Sequence, residues 1–123
     1  MKRAICTGAG LLVLATGPAS AHHSFSMFDG GREVTVAGTV KEFQWTNPHT
    51  WLQVTVPGPN GEVVEWSFEG GSPGILSRNN WKRTSVKVGD KVTVTFHPLK
   101  NGDPGGSFVE VKTSDGKTYY YHG

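Results

Sequence analysis

Between Glu33 and Thr113 apolar residues fall on alternate positions in separate short stretches, the period of strands with one buried face. Glu33 to Trp45 places Val34, Val36 and Val40 on one phase and Phe43 and Trp45 on the other, so the alternation slips once. Gly38 lies just before the slip, and a glycine inside a strand marks a bend or bulge. A long bent first strand serves both halves of a closed sheet. Thr50 to Val56 alternates through Leu52, Val54 and Val56, turns at Pro57-Gly58-Pro59-Asn60-Gly61, and restarts at Glu62 with Val64, Trp66 and Phe68 facing one way. A proline and glycine cluster ending in Asn-Gly tolerates the positive φ of a tight reversal, which predicts a hairpin.

Glu69 to Pro73 then breaks the strand pattern. Ser72 as N-cap with Pro73 at the first helical position predicts a short helix through about Asn79, with Ile75 and Leu76 turned to the core. Gly89-Asp90 marks a turn into a fourth strand, Lys91 to Pro98, whose buried phase is Val92, Val94 and Phe96. Pro98 to Gly106 is a loop by composition, and its glycine-rich part from Lys100 reads as a mobile hairpin tip. Ser107 to Thr113 resumes the alternation with Val109 and Val111 inward, and Ser114-Asp115-Gly116 turns into a terminal extension from Lys117 to Tyr121. The order, with a helix between strands three and four, resembles the OB-fold. The predicted class is therefore all-β: a five-stranded OB-like barrel with one short helix, over residues 33–123.

Composition agrees. Seventeen glycines and seven prolines, 36% hydrophobic and 18% charged residues exclude a coiled coil, a helix bundle and a disordered tail, and 123 residues leave room for one compact domain. The first 21 residues read as a secretory signal: Met1-Lys2-Arg3 is basic, Ala4 to Ala15 is mostly apolar, and Ala19-Ser20-Ala21 is a small-residue cleavage site. The apolar run is too short and too interrupted to span a bilayer. Cleavage after Ala21 predicts a periplasmic protein without a membrane span, an N-terminal arm over 22–32, and no cysteine, since Cys6 leaves with the signal. It also removes Lys2 and Arg3, leaving ten basic against ten acidic residues, so the charge argument for nucleic acid disappears.

Ala21-His22-His23-Ser24-Phe25, Gly38-Thr39-Val40, Trp45-Thr46-Asn47-Pro48-His49 and Gly89-Asp90 together resemble an uncharacterised family of small exported bacterial proteins. That resemblance implies export and an OB-like barrel, and carries no activity with it.

All five histidines fall in the arm, at loop edges or at strand ends. In an OB-like barrel the loops after strands one and four open on one side, which would let His49 and His97 approach each other. His97 follows Phe96 and so points away from the buried phase. Cleavage would make His22 the leading residue, whose α-amino nitrogen and imidazole could chelate one ion with His23 beside them. Nitrogen ligands of this kind suit Cu(II). The arrangement resembles the histidine brace of exported copper proteins, and 11 residues of arm extend about 35 Å at 3.3 Å each, enough to meet a barrel ligand. The candidate metal set is thus His22, His23, His49 and His97, with copper as the expected cofactor. The plainer reading makes His22 and His23 a frayed terminus and the other two surface histidines.

Thirteen aromatics offer a second possibility. Trp51 lies on the opposite phase from Leu52 and Val54 and projects outward, so Trp45, Asn47, Trp51 and Lys100 form a candidate surface for a glycan, a small ligand or a partner protein. The competing expectation is that the arm or the C-terminal tyrosines cover Trp51. No nucleophile elbow, thiol or paired-carboxylate arrangement is present, so a binding protein and not an enzyme is expected. A copper enzyme would need an open coordination position that no motif discloses.

Overall fold

The computed structural model describes residues 25–122. The expected export signal over 1–21, with Cys6, and the leading histidines His22 and His23 lie outside the described residues. A single turn of 3-10 helix, Phe25–Met27, opens the arm. Six strands and one helix follow: β1 (Val34–Gln44), β2 (Trp51–Pro57), β3 (Val63–Glu69), α1 (Pro73–Arg78), β4 (Lys91–Pro98), β5 (Gly105–Thr113) and β6 (Thr118–Tyr120).

β1 is the shared strand of the barrel, antiparallel to β2 on one side and to β4 on the other. β2 pairs with β3, β4 pairs with β5, and a short parallel ladder between β3 and β5 closes the five strands into a barrel. β6 adds to β5 as the terminal extension. The slip in β1 is real: its register with β2 shifts between Val40 and Glu42, leaving Lys41 as the extra residue of a bulge. Gly38 is needed for a different reason. A Cβ there would overlap the Thr55 carbonyl oxygen of β2, so only glycine lets β1 and β2 lie this close where the sheet coils.

The interior is aromatic and aliphatic. Phe68 and Phe96 meet with ring centroids 4.7 Å apart, Trp66 stacks beside Phe68, and Val40, Leu52, Val54, Val94 and Val111 fill the remaining space. Ser72 caps α1 by accepting the Ile75 N–H at 3.2 Å, and Leu76 buries completely. The helix stops at Arg78, one residue short of the expectation, with Asn79 as its cap. Trp81 closes this end of the barrel between Phe108 (5.2 Å) and Tyr119 (5.1 Å), and its indole N–H donates to the Tyr120 carbonyl at 2.8 Å.

Two expectations need correction. β5 begins at Gly105 and not Ser107, because Gly105 pairs with β3 and Gly106 with both β3 and β4; the glycine-rich tip is correspondingly short, with the Leu99 N–H donating to the Gly105 carbonyl at 3.2 Å. Val109 is not inward. The β4–β5 register shifts so that Thr95 faces Glu110 and Phe96 faces Phe108, which leaves Val109 as a bulged residue on the outer face and gives its inward place to Phe108. No helix among the described residues is long and apolar enough to cross a membrane.

One chemical change at two glycines should give opposite signs. Gly38→Ala is expected to destabilise by about 1–3 kcal/mol through overpacking against backbone. Gly74→Ala, on α1 with no neighbour nearer than 3.9 Å, is expected to stabilise by about 0.5–1 kcal/mol. Urea unfolding checks both: the midpoints should move apart with an unchanged slope.

Candidate functional site

The arm does not fray from the barrel where it is described. Its root is held by His97, whose Nδ1 donates to the Arg32 carbonyl at 2.7 Å. Running back toward the N-terminus, Asp29 N–H donates to the Pro98 carbonyl at 2.8 Å, Phe28 bridges to Leu99, and the Lys100 N–H donates to the Met27 carbonyl at 2.9 Å. The arm thus runs from His97 along the β4–β5 loop, toward residues of β5, β3 and β2. Between it and those strands lies a cavity of about 200 Å³, walled mainly by Met27, Phe28, Trp51, Glu69, Leu99 and Pro104. Trp51 projects outward and shares this cavity with Met27 and Phe28 of the arm.

Glu69 reaches this place through hairpin register. Leu52, Val54 and Val56 pair with Phe68, Trp66 and Val64 across the inner face, which sets Trp51 opposite Glu69 on the outer one. Glu69 is only 6% exposed, unusual for a glutamate and tolerable only with a partner. That partner is His49, whose Nδ1 lies 3.2 Å from Glu69 Oε1 and 3.1 Å from the Gly70 carbonyl oxygen. Both neighbours accept, so Nδ1 carries a proton and donates it.

The loop that presents His49 is braced on both sides. Asn47-Pro48 is a cis peptide, the Thr46 hydroxyl donates to the His49 carbonyl at 2.8 Å, and buried Thr50 donates from both its N–H and its hydroxyl to the Gly71 carbonyl. Tyr121 packs at the same edge, against Phe108 at 5.9 Å. Its phenol is pushed above the ordinary tyrosine range by burial first and by the negative charge of Glu69 second.

The remaining candidates are spread out. Glu69, Ser107 and His97 follow one another across β3, β5 and β4, so His97 lies on the far side of β5 from the His49–Glu69 pair. It faces instead a cavity of about 390 Å³ shared with Glu33, Glu110 and His122. Among the described residues no three His, Cys, Asp or Glu side chains converge to hold a metal. Trp45 turns to the core, edge-on to Phe43 at 5.8 Å. Asn47 and Lys100 are exposed, and the backbone of Lys100 is what holds the arm. Glu69 is the residue that sequence reasoning missed. The signal was there, since matching the two inner faces of the hairpin puts Glu69 beside Trp51 on the outer face.

Tyr121 gives this geometry a pH signature. A raised folded pKa stabilises fully below the unfolded value near 10 and is lost as pH rises through the folded one. Stability should therefore fall above about pH 10. Tyr121→Phe should flatten that fall, as followed by urea unfolding across the alkaline range, and should remove the latest tyrosine in an ultraviolet titration.

No curated protein matches this chain, and no solved structure matches it. A family model does match over residues 10–108, a span that takes in β1 to β4, the start of β5, and both His49 and Glu69. The chain belongs to the family of unknown function DUF6152.

Proposed function

We propose that the protein is an exported binding protein of the periplasm, without catalysis of its own, that holds a Cu(II) ion between its processed N-terminus and the barrel. The observation that carries this reading is the orientation of His49, held through Nδ1 by Glu69 and Gly70 at the edge toward which the tethered arm runs. A histidine whose other ring nitrogen donates to a carboxylate or a carbonyl is oriented as metal-binding histidines usually are.

Chain length supports the same pairing. His23 is four residues before Met27, so at most about 13 Å of extended chain separates it from the last anchored carbonyl. The arm departs from His97 and heads toward Trp51 and Glu69, which favours His49 over His97 as the barrel ligand. Cleavage after Ala21 would add the α-amino nitrogen of His22 to the imidazoles of His22, His23 and His49. Amine and imidazole nitrogens are the donor set that Cu(II) prefers, and a bound ion would take their lone pairs with Glu69 orienting His49 behind it.

Titration of correctly processed protein with Cu(II), followed by electron paramagnetic resonance and native mass spectrometry, tests the reading. One ion should bind with a nitrogen-rich spectrum. His49→Gln, which can still donate to Glu69, should lose the barrel nitrogen, and Glu69→Gln should weaken binding by about 10–100-fold. A single extra residue before His22 should weaken it as well. Equal, weak binding by all four proteins contradicts the proposal.

A further inference from the structure

At the start of β4 and the end of β5 the barrel carries a groove of about 490 Å³ that shares no residue with the two cavities above. Strand alternation builds it. With Val92 and Val111 buried, Lys91, Thr93 and Lys112 point outward. On β1 the residue opposite Thr93 is Ala37, exposed and followed by Gly38, so nothing taller than a methyl group stands between the longer side chains.

Charge in this groove is of one sign. Lys112 faces Thr93, two residues from Lys91, so the two ammonium groups rise from one face a diagonal step apart, where strand positions are about 7–8 Å from each other. Lys91 Nζ donates to the Thr39 hydroxyl at 2.7 Å, a neutral partner. Among the described residues neither ammonium has a carboxylate partner, and no Asp, Glu or His lines the groove. The acids close by in sequence are engaged elsewhere. Asp90 accepts the Lys87 N–H, Asp115 accepts the Lys117 N–H and the Thr113 hydroxyl, and Glu110 lines the cavity of His97. Thr93 and Ser114 add hydroxyls that have no partner among the described residues.

These groups select an anion. A cation would meet two ammoniums and no carboxylate, and a neutral sugar would leave both charges unbalanced. A carboxylate offers one charge and a planar pair of oxygens, the shape that an arginine fork matches, and no arginine lines the groove. A phosphate monoester carries up to two negative charges on three terminal oxygens, which suits two lysine point charges and two hydroxyl donors. The volume leaves room for a small organic body beside the phosphate, against Ala37 and Pro57.

We propose that this groove binds the phosphate of a small organic monoester, free or at the head of a lipid, with Lys91 and Lys112 as the counter-charges and Thr93 and Ser114 as the hydroxyl donors. The proposal does not rest on the metal reading.

The probes are glycerol phosphate, its neutral parent glycerol, and dimethyl phosphate, a diester of single charge. Each is titrated into the wild-type protein with a chelator present, so that no metal contributes, and calorimetry is read together with the backbone amide resonances of Thr93, Lys112 and Ser114. Glycerol phosphate should bind and move those resonances, with glycerol and dimethyl phosphate each weaker by about ten-fold or more. Lys91→Gln and Lys112→Gln, both at exposed positions, should each weaken it about ten-fold, while Lys82→Gln, outside the groove, should leave it unchanged. Sedimentation with phosphatidylcholine vesicles, with and without phosphatidic acid, separates the two sources. Capture only by the vesicles with phosphatidic acid, lost in both groove variants, extends the site to lipid phosphate; no capture restricts it to free esters. Glycerol phosphate binding no tighter than glycerol overturns the proposal, as does an affinity that neither groove variant lowers. Dimethyl phosphate binding as tightly as glycerol phosphate overturns the assignment to a monoester.

Discussion

Gly105 and Gly106 open β5 at the point where three strands must meet. A Cβ on the first would overlap the Ser67 carbonyl oxygen of β3, and one on the second would overlap the His97 carbonyl oxygen of β4. Because neither has a side chain, β5 lies against both neighbours at once, and the parallel ladder Ser67–Gly105, Phe68–Gly106, Glu69–Ser107 can form. That ladder is only three residues long, yet it turns an open sheet into a barrel. On its inner side it brings Phe68, Phe96 and Phe108 into one core; on its outer side it walls in the carboxylate of Glu69. Closure therefore sets both the packing and the chemistry.

Burial of Glu69 has consequences that reach outward. A carboxylate removed from water needs donors, and the ring of His49 supplies one while the braced loop from Thr46 to Thr50 holds that ring in place. The same negative charge acts on Tyr121, which the C-terminal extension carries back over the barrel's edge. The arm adds the last wall, tied by backbone hydrogen bonds to the β4–β5 loop. Three separate parts of the chain, the arm, the β1–β2 loop and the C-terminal extension, thus converge around one glutamate.

Much of the barrel was legible because alternation is a local property. β4 falls on its expected residues, the hairpin pairs as its two apolar faces require, and Ser72-Pro73 starts the helix. Val109 escaped because a bulge is set by pairing with β4 and leaves no mark in a run of Val-Glu-Val. Gly105 and Gly106 read as loop for a similar reason: glycine signals a turn unless a neighbouring strand demands close approach. Of the site, His49 and Trp51 stood out by residue type and phase. Glu69 did not, because its meaning comes from register across β2 and from the closing ladder, both of which are contacts between distant residues. Likewise, the shared opening of the two histidine-bearing loops was expected, but β5 intervenes between His49 and His97.

The central claim is that barrel closure fixes the His49 imidazole through a proton on Nδ1. Long-range nitrogen–proton correlation spectra of histidine-labelled protein, recorded at a pH where the ring is neutral, read the tautomer directly. The account predicts the Nδ1–H form for His49. Finding the Nε2–H form, or a rapid mixture of the two, would contradict it.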